Sequence, residues 1–146
     1  MTLTDHFTIE ELTRSQTAHD KGIDNTLPAE LLPNLTVLAH GLEHVRAILN
    51  APLHINSGYR CPELNAAVGG SKTSAHMEAY AADFTCPQFG TPLEIVRAII
   101  RAGVKFDQCI QEGNWVHISF DPRMRQRVMT AHFDVAGKPT YTGGIS

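Results

Sequence analysis

Leu31, Leu35, Leu38, Leu42, Val45 and Leu49 recur at spacings of three and four in LPAELLPNLTVLAHGLEHVRAILN. That is one apolar stripe on a long helix. Pro28 suits its first turn, and Pro33 tightens or delays its start. Upstream, HFTIEELTRSQTA carries Thr8 three residues before Glu11, with Phe7 ahead of it. This is the pattern of a capping box with a hydrophobic staple, so the segment reads as a helix that GIDNT ends. TPLEIVRAIIRAG predicts another, with Thr91 as N-cap, Pro92 at the first position, Glu94 at the third and Gly103 at the end.

Elsewhere the period is two. PLHINSGYR predicts a short strand, with Leu53 and Ile55 on one face, running into a turn at Ser57-Gly58. CPELNAAV reads as a short helix ended by Gly69-Gly70, and YAADFTC as a strand. KFDQCIQE, GN and WVHISF read as strand, tight turn and strand. With the turn at Gly113-Asn114, Glu112 faces Trp115, Ile110 faces His117 and Gln108 faces Ser119. Alternation sends Val116, Ile118 and Phe120 to the core and His117 to the opposite face, which Glu112 shares. QRVMTAHFDV and PTYTGG predict a last strand or hairpin. Helices followed by strands with one inserted helix indicate an α+β fold, its small antiparallel sheet packed on the N-terminal helices. The 146 residues suit a single domain spanning 1–146, without repeat or linker.

Charge narrows the function. A net charge of -3 with 18% charged residues lacks the basic excess of a nucleic-acid binder. The densest basic cluster, RMRQR at 123–127, reads as a solvated face. Three cysteines, Cys61, Cys86 and Cys109, show no C-x-x-C spacing, against a disulfide framework or a cysteine zinc site. MTLTDHFTIEELT has no apolar h-region, and no window of about 18 apolar residues exists. The expectation is a chain made in the cytoplasm without a signal peptide and without membrane insertion.

Two stretches carry candidate chemistry. SAHMEAYAADF places His76 seven residues before Asp83, and the small neighbours Ala81 and Ala82 leave space around that carboxylate. QEGNWVHISF carries His117 beside Trp115. Two imidazoles and a carboxylate are a frequent ligand set for catalytic zinc, with one position left for water. Spacing alone leaves open a satisfied loop histidine and a salt-bridged aspartate. Arg60 equally suits an ion pair with Glu63, Ser74 a turn, and Trp115 either a rim or a substrate platform. His6, His19, His40, His44, His54 and His132 read as surface or core residues.

SAHMEAYAAD resembles the S-x-H-x-x-G-x-A-x-D motif of the zinc peptidases that include D-Ala-D-Ala carboxypeptidases, lysostaphin-type enzymes and phage L-alanyl-D-glutamate endopeptidases. Ser74, His76, Ala81 and Asp83 match it. WVHIS is similar to the segment with that family's third ligand, and SGYRCPELNAAVGG to the arm with its active-site arginine. The pattern runs through nearly the whole chain and looks like the short, phage-associated branch. The resemblance implies a hedgehog/DD-peptidase-like zinc cleft, with Zn²⁺ held by His76, Asp83 and His117. It implies Arg60 at the scissile carbonyl oxygen, and Ser74, Trp115 and Gln108 as substrate or supporting contacts. Glu112 is assigned as catalytic base, because Asn114 stands where several relatives carry that glutamate. Ala79 replaces the motif glycine, at a cost of about 1 kcal/mol if φ is positive there, and could narrow the cleft. The implied partner is the peptidoglycan stem peptide, met by a monomer after release or delivery to the wall. The competing reading is a catalytically weak or inactive relative that binds wall peptides or serves in a phage particle.

Overall fold

The computed structural model describes residues 1–144. A two-stranded ribbon that the sequence reading did not anticipate opens the chain, β1 (Thr2–Thr4) against β2 (Phe7–Thr8). The expected first helix is two, α1 (Ile9–Thr13) and α2 (Gln16–Lys21), because Arg14 and Ser15 are extended. Two caps compete within one segment. Thr8 Oγ1 accepts from Glu11 N at 3.1 Å, and Ser15 Oγ accepts from Ala18 N at 3.1 Å, so the second cap restarts the helix. Gly22 ends α2 in the left-handed conformation, with φ 65°.

A 3-10 turn at Ala29–Leu31 precedes α3 (Leu32–Leu49), the delay expected of Pro33. The stripe of α3 is buried at Leu35, Leu38, Leu42, Val45 and Leu49. After β3 (His54–Ser57) come α4 (Pro62–Ala67), a 3-10 turn at Ala75–Glu78, and β4 (Ala81–Thr85). The next helix, α5 (Pro92–Arg101), begins with a complete capping box between Thr91 and Glu94. The chain ends on β5 (Gln108–Gln111), β6 (Val116–Ser119), β7 (Arg127–Phe133) and β8 (Pro139–Gly143).

The last six strands form one sheet in the order β3-β4-β6-β5-β7-β8. The β5–β6 register is the one the turn implied, with Gln108 opposite Ser119 and Ile110 opposite His117. The sheet departs from the expected antiparallel pattern at one ladder: β7 runs parallel to β5, with Gln108 opposite Arg127 and Gln111 opposite Thr130. The chain crosses over after β6 and leaves along the free edge of β5. Alternation reports the face of a residue, not the direction of its strand, and so could not reveal this.

One face of the sheet makes the core. Phe84, Cys109, Val116 and Ile118 join the α3 stripe and Ile95, Val96 and Ile99 of α5 in a single apolar cluster. Truncating a Leu or Ile there costs about 2–5 kcal/mol. The residues that alternate with them, Asp83 on β4 and His117 on β6, point to the opposite face. Among the described residues no helix is long and apolar enough to cross a membrane.

The crossover is fastened by charge, which corrects the reading of RMRQR as a merely solvated face. Asp107 is fully buried and accepts from Arg125 three times, from the backbone N at 2.9 Å, Nε at 2.8 Å and Nη2 at 2.8 Å. Arg123 Nη2 donates to Asp121 at 2.7 Å. Gln126 Nε2 donates to the Val104 carbonyl at 2.7 Å.

Candidate metal centre

Asp83 and His117 are direct register partners across the central β4–β6 ladder. Their side chains therefore leave the sheet side by side, and His117 Nδ1 lies 2.9 Å from Asp83 Oδ1. His76 comes from the 3-10 turn Ala75–Glu78, capped by Ser74, whose Oγ accepts from His76 N at 3.2 Å. His76 Nε2 lies 3.3 Å from the same Asp83 Oδ1. The two rings meet edge-on, with centroids 5.1 Å apart, and one donor atom from each of the three residues lies within 4.8 Å of the others.

The protonation pattern at His76 limits what this cluster can bind. Its Nδ1 is 2.7 Å from the Gly58 carbonyl oxygen, which can only accept, so Nδ1 carries the proton and donates. That leaves Nε2 as a bare lone pair. It is buried and has no hydrogen-bond partner among the described residues, and it faces a carboxylate oxygen that is also an acceptor. Two acceptors held together at this distance call for a cation between them, and two nitrogens with one carboxylate oxygen suit zinc. Burial lowers the His76 pKa and so favours the neutral, ligating form, with the Asp83 charge opposing. Burial works against the charge on Asp83, but the imidazoles of His76 and His117 outweigh it and hold the carboxyl far below its usual range. Two imidazoles and a carboxylate, each offering a ligand atom in one cluster, fit a divalent metal.

The cluster sits in a cleft of about 620 Å³, which Arg60, Ser74, Gln108, Glu112 and Trp115 also line. Arg60 N donates to the His76 carbonyl at 3.0 Å, which ties the SGYR turn to the histidine turn. Its Nη2 reaches Ser74 Oγ at 3.4 Å, and its buried Nε has no protein partner. Burial lowers the Arg60 pKa, against the pull of Asp83. No ion pair joins Arg60 to Glu63 among the described residues. Ser74 is used twice within the fold, as helix cap and as acceptor for Arg60. The Gln108 side-chain amide makes no hydrogen bond to the three clustered residues among the described residues. Trp115 is half-buried on the cleft wall.

Glu112 continues β5 toward the Gly113-Asn114 turn, and its backbone N donates to the Trp115 carbonyl at 2.9 Å. Glu112 as a whole residue is 9% exposed. Burial raises its pKa, His117 lowers it, Asp83 raises it and the Tyr141 hydrogen bond lowers it. Ala79 does have positive φ, 63°, but its methyl joins the apolar core and takes no part in the cleft lining. The expectation that it could narrow the cleft is therefore corrected. The buried methyl recovers about 0.8 kcal/mol of the left-handed cost.

Sequence reasoning missed one wall of the cleft. Phe133, Pro139 and Tyr141 of the C-terminal hairpin line it, as do Arg123, Arg125 and Arg127. Only the partner choice of β7 brings them there, and no local pattern encodes that choice.

A family model described as Peptidase M15 matches residues 5–119. No curated protein matches the chain. The matched residues include Arg60, His76, Asp83, Glu112 and His117, and they end before β7 and β8.

Proposed function

The chain belongs to the peptidase M15 family, and on that premise we propose that it is a zinc-dependent peptidase that cuts peptidoglycan stem peptides, as an endolysin-like endopeptidase or a D,D-carboxypeptidase. The observation that carries the reading is the convergence of His76, Asp83 and His117 within 4.8 Å in the cleft, with His76 Nε2 left as an unpartnered lone pair. These three residues would hold the ion. When bound, it supplies Lewis-acid chemistry, polarising a carbonyl and bringing the ionisation of a water to near pH ~7.

The remaining work falls to the protein's own groups. Glu112 accepts a proton from the attacking water and returns it to the leaving amine, and its burial suits both roles. Arg60 offers fixed charged donors to the oxygen on which negative charge develops, and its unpartnered Nε supports that use. Ser74 holds the Arg60 guanidinium and the His76 turn in register. Gln108 and Trp115 supply polar and aromatic contacts to the substrate peptide.

The test is hydrolysis of purified cell wall by the zinc-loaded protein, with the released muropeptides identified by mass spectrometry, with and without a chelator. Chelator-sensitive release of peptides cut at one bond supports the reading, and the new terminus distinguishes endopeptidase from carboxypeptidase. Tight wall binding with no cleavage by the zinc-loaded protein would favour the binding-module alternative.

A further inference from the structure

Tyr141 lies on β8, beyond the residues that the family model matches. It pairs with Ala131 on β7. The β5–β7 ladder pairs Gln111 with Thr130, so Ala131 stands one step along, in the row of Glu112. The small side chain in the middle of this row lets the phenol reach across it. The Tyr141 hydroxyl lies 3.4 Å from both carboxylate oxygens of Glu112. A phenol donates and a carboxylate accepts, so the contact has one direction. Tyr141 is itself among the cleft-lining residues. Burial and the facing Glu112 raise its pKa to about 12, so it stays a donor at any working pH.

We propose that Tyr141 is a positioning residue for Glu112, its hydroxyl holding the carboxylate in the cleft through a hydrogen bond delivered by the C-terminal hairpin. The consequence for turnover rests on the peptidase reading above; the contact with Glu112 does not. Two equal, long distances describe a shared hydrogen bond, and Tyr141 is 48% exposed, so water competes for both partners. The effect is therefore modest.

The test uses Tyr141→Phe in the full-length, zinc-loaded protein. Its kcat should fall about fivefold with KM unchanged. In a Glu112→Gln background the same substitution should cause no further loss. Among the described residues, the charges of His117 on β6 and Asp83 on β4 act on Glu112 through space, and Tyr141 on β8 acts through the hydrogen bond. Removing the Tyr141 hydroxyl alone takes away a contact that favours the ionised form, so the Glu112 carboxyl, followed by ¹³C NMR, should titrate at higher pH in Tyr141→Phe than in wild type. An unchanged Glu112 titration would overturn the proposal. So would a raised KM with kcat intact, which would make Tyr141 a substrate contact, or equal losses in both backgrounds. Should the wild-type protein not cleave wall peptides at all, that result counts against the peptidase reading, and the NMR titration still decides for or against Tyr141.

Discussion

At the scale of single residues, the groups in the cleft differ in how firmly the fold ties them. His76 is tied by the Gly58 carbonyl and Asp83 by His117. Among the described residues Glu112 has one side-chain partner, Tyr141, and Arg60 one, Ser74. Loosely tied groups are the ones free to meet a substrate. Glu112→Gln should therefore keep zinc at one per chain by metal analysis, while wall hydrolysis falls by about 10²-fold or more. The amide retains the shape of the carboxylate but cannot take the proton. A Glu112→Gln protein with full activity would remove Glu112 from the chemistry. Arg60→Ala should lower kcat about 10²-fold while the thermal midpoint barely moves. The side chain caps no helix and joins no apolar cluster. A large fall in the midpoint would instead make it a structural cation.

At the scale of elements, the site depends on a close approach between loops. A Cβ at Gly58 would lie 2.2 Å from the Leu12 carbonyl oxygen, and Tyr59 N donates to that oxygen at 2.8 Å. The end of α1 thus sits directly on the turn after β3, and the Gly58 carbonyl on that turn fixes the His76 tautomer. Gly58→Ala should cost about 1–3 kcal/mol of stability. It should also weaken zinc binding about 10–100-fold, since the second partner of a ligand histidine moves with the turn. Calorimetry with a competing chelator reads both, and loss of stability with unchanged zinc affinity would show that the carbonyl does not matter to the histidine. The element scale also marks what the sequence could convey. The β5–β6 hairpin was legible to its register, because period-two alternation and a Gly-Asn turn are local. The Asp83–His117 pairing was not, since the two residues stand 34 positions apart with α5 and β5 between them. Resemblance of SAHMEAYAAD and WVHIS to the family's ligand segments joined the two residues as co-ligands, and only the structure shows them as strand partners. The split of the first helix was readable in principle, because Ser15 is an N-cap residue, but the apolar pattern runs across the break.

At the scale of the whole molecule, the segment from β7 onward lines one wall of the cleft from outside the matched residues. It was the least legible part, because the parallel β5–β7 pairing is a choice among edges that side-chain alternation does not constrain. A charge pair between buried Asp107 and partly exposed Arg125 anchors it. The Arg125 hydrogen bonds hold the Asp107 pKa at about 2, below its ordinary 3.8. A folded pKa below the unfolded one means that this stabilisation is full above about pH 4 and lost as pH falls toward 2. Arg125→Ala should lower the thermal midpoint at pH 7 on the order of 5 °C, with a smaller difference from wild type near pH 2. A difference that stays constant across this range would mean that Asp107 is not the partner that matters. The peptidase reading requires one metal in this one cleft. Its most direct test is the rate of muropeptide release from purified wall as zinc is titrated into the metal-stripped protein. The rate should rise in proportion to added zinc and reach its plateau at one equivalent per chain. Release that is indifferent to zinc would contradict the central claim.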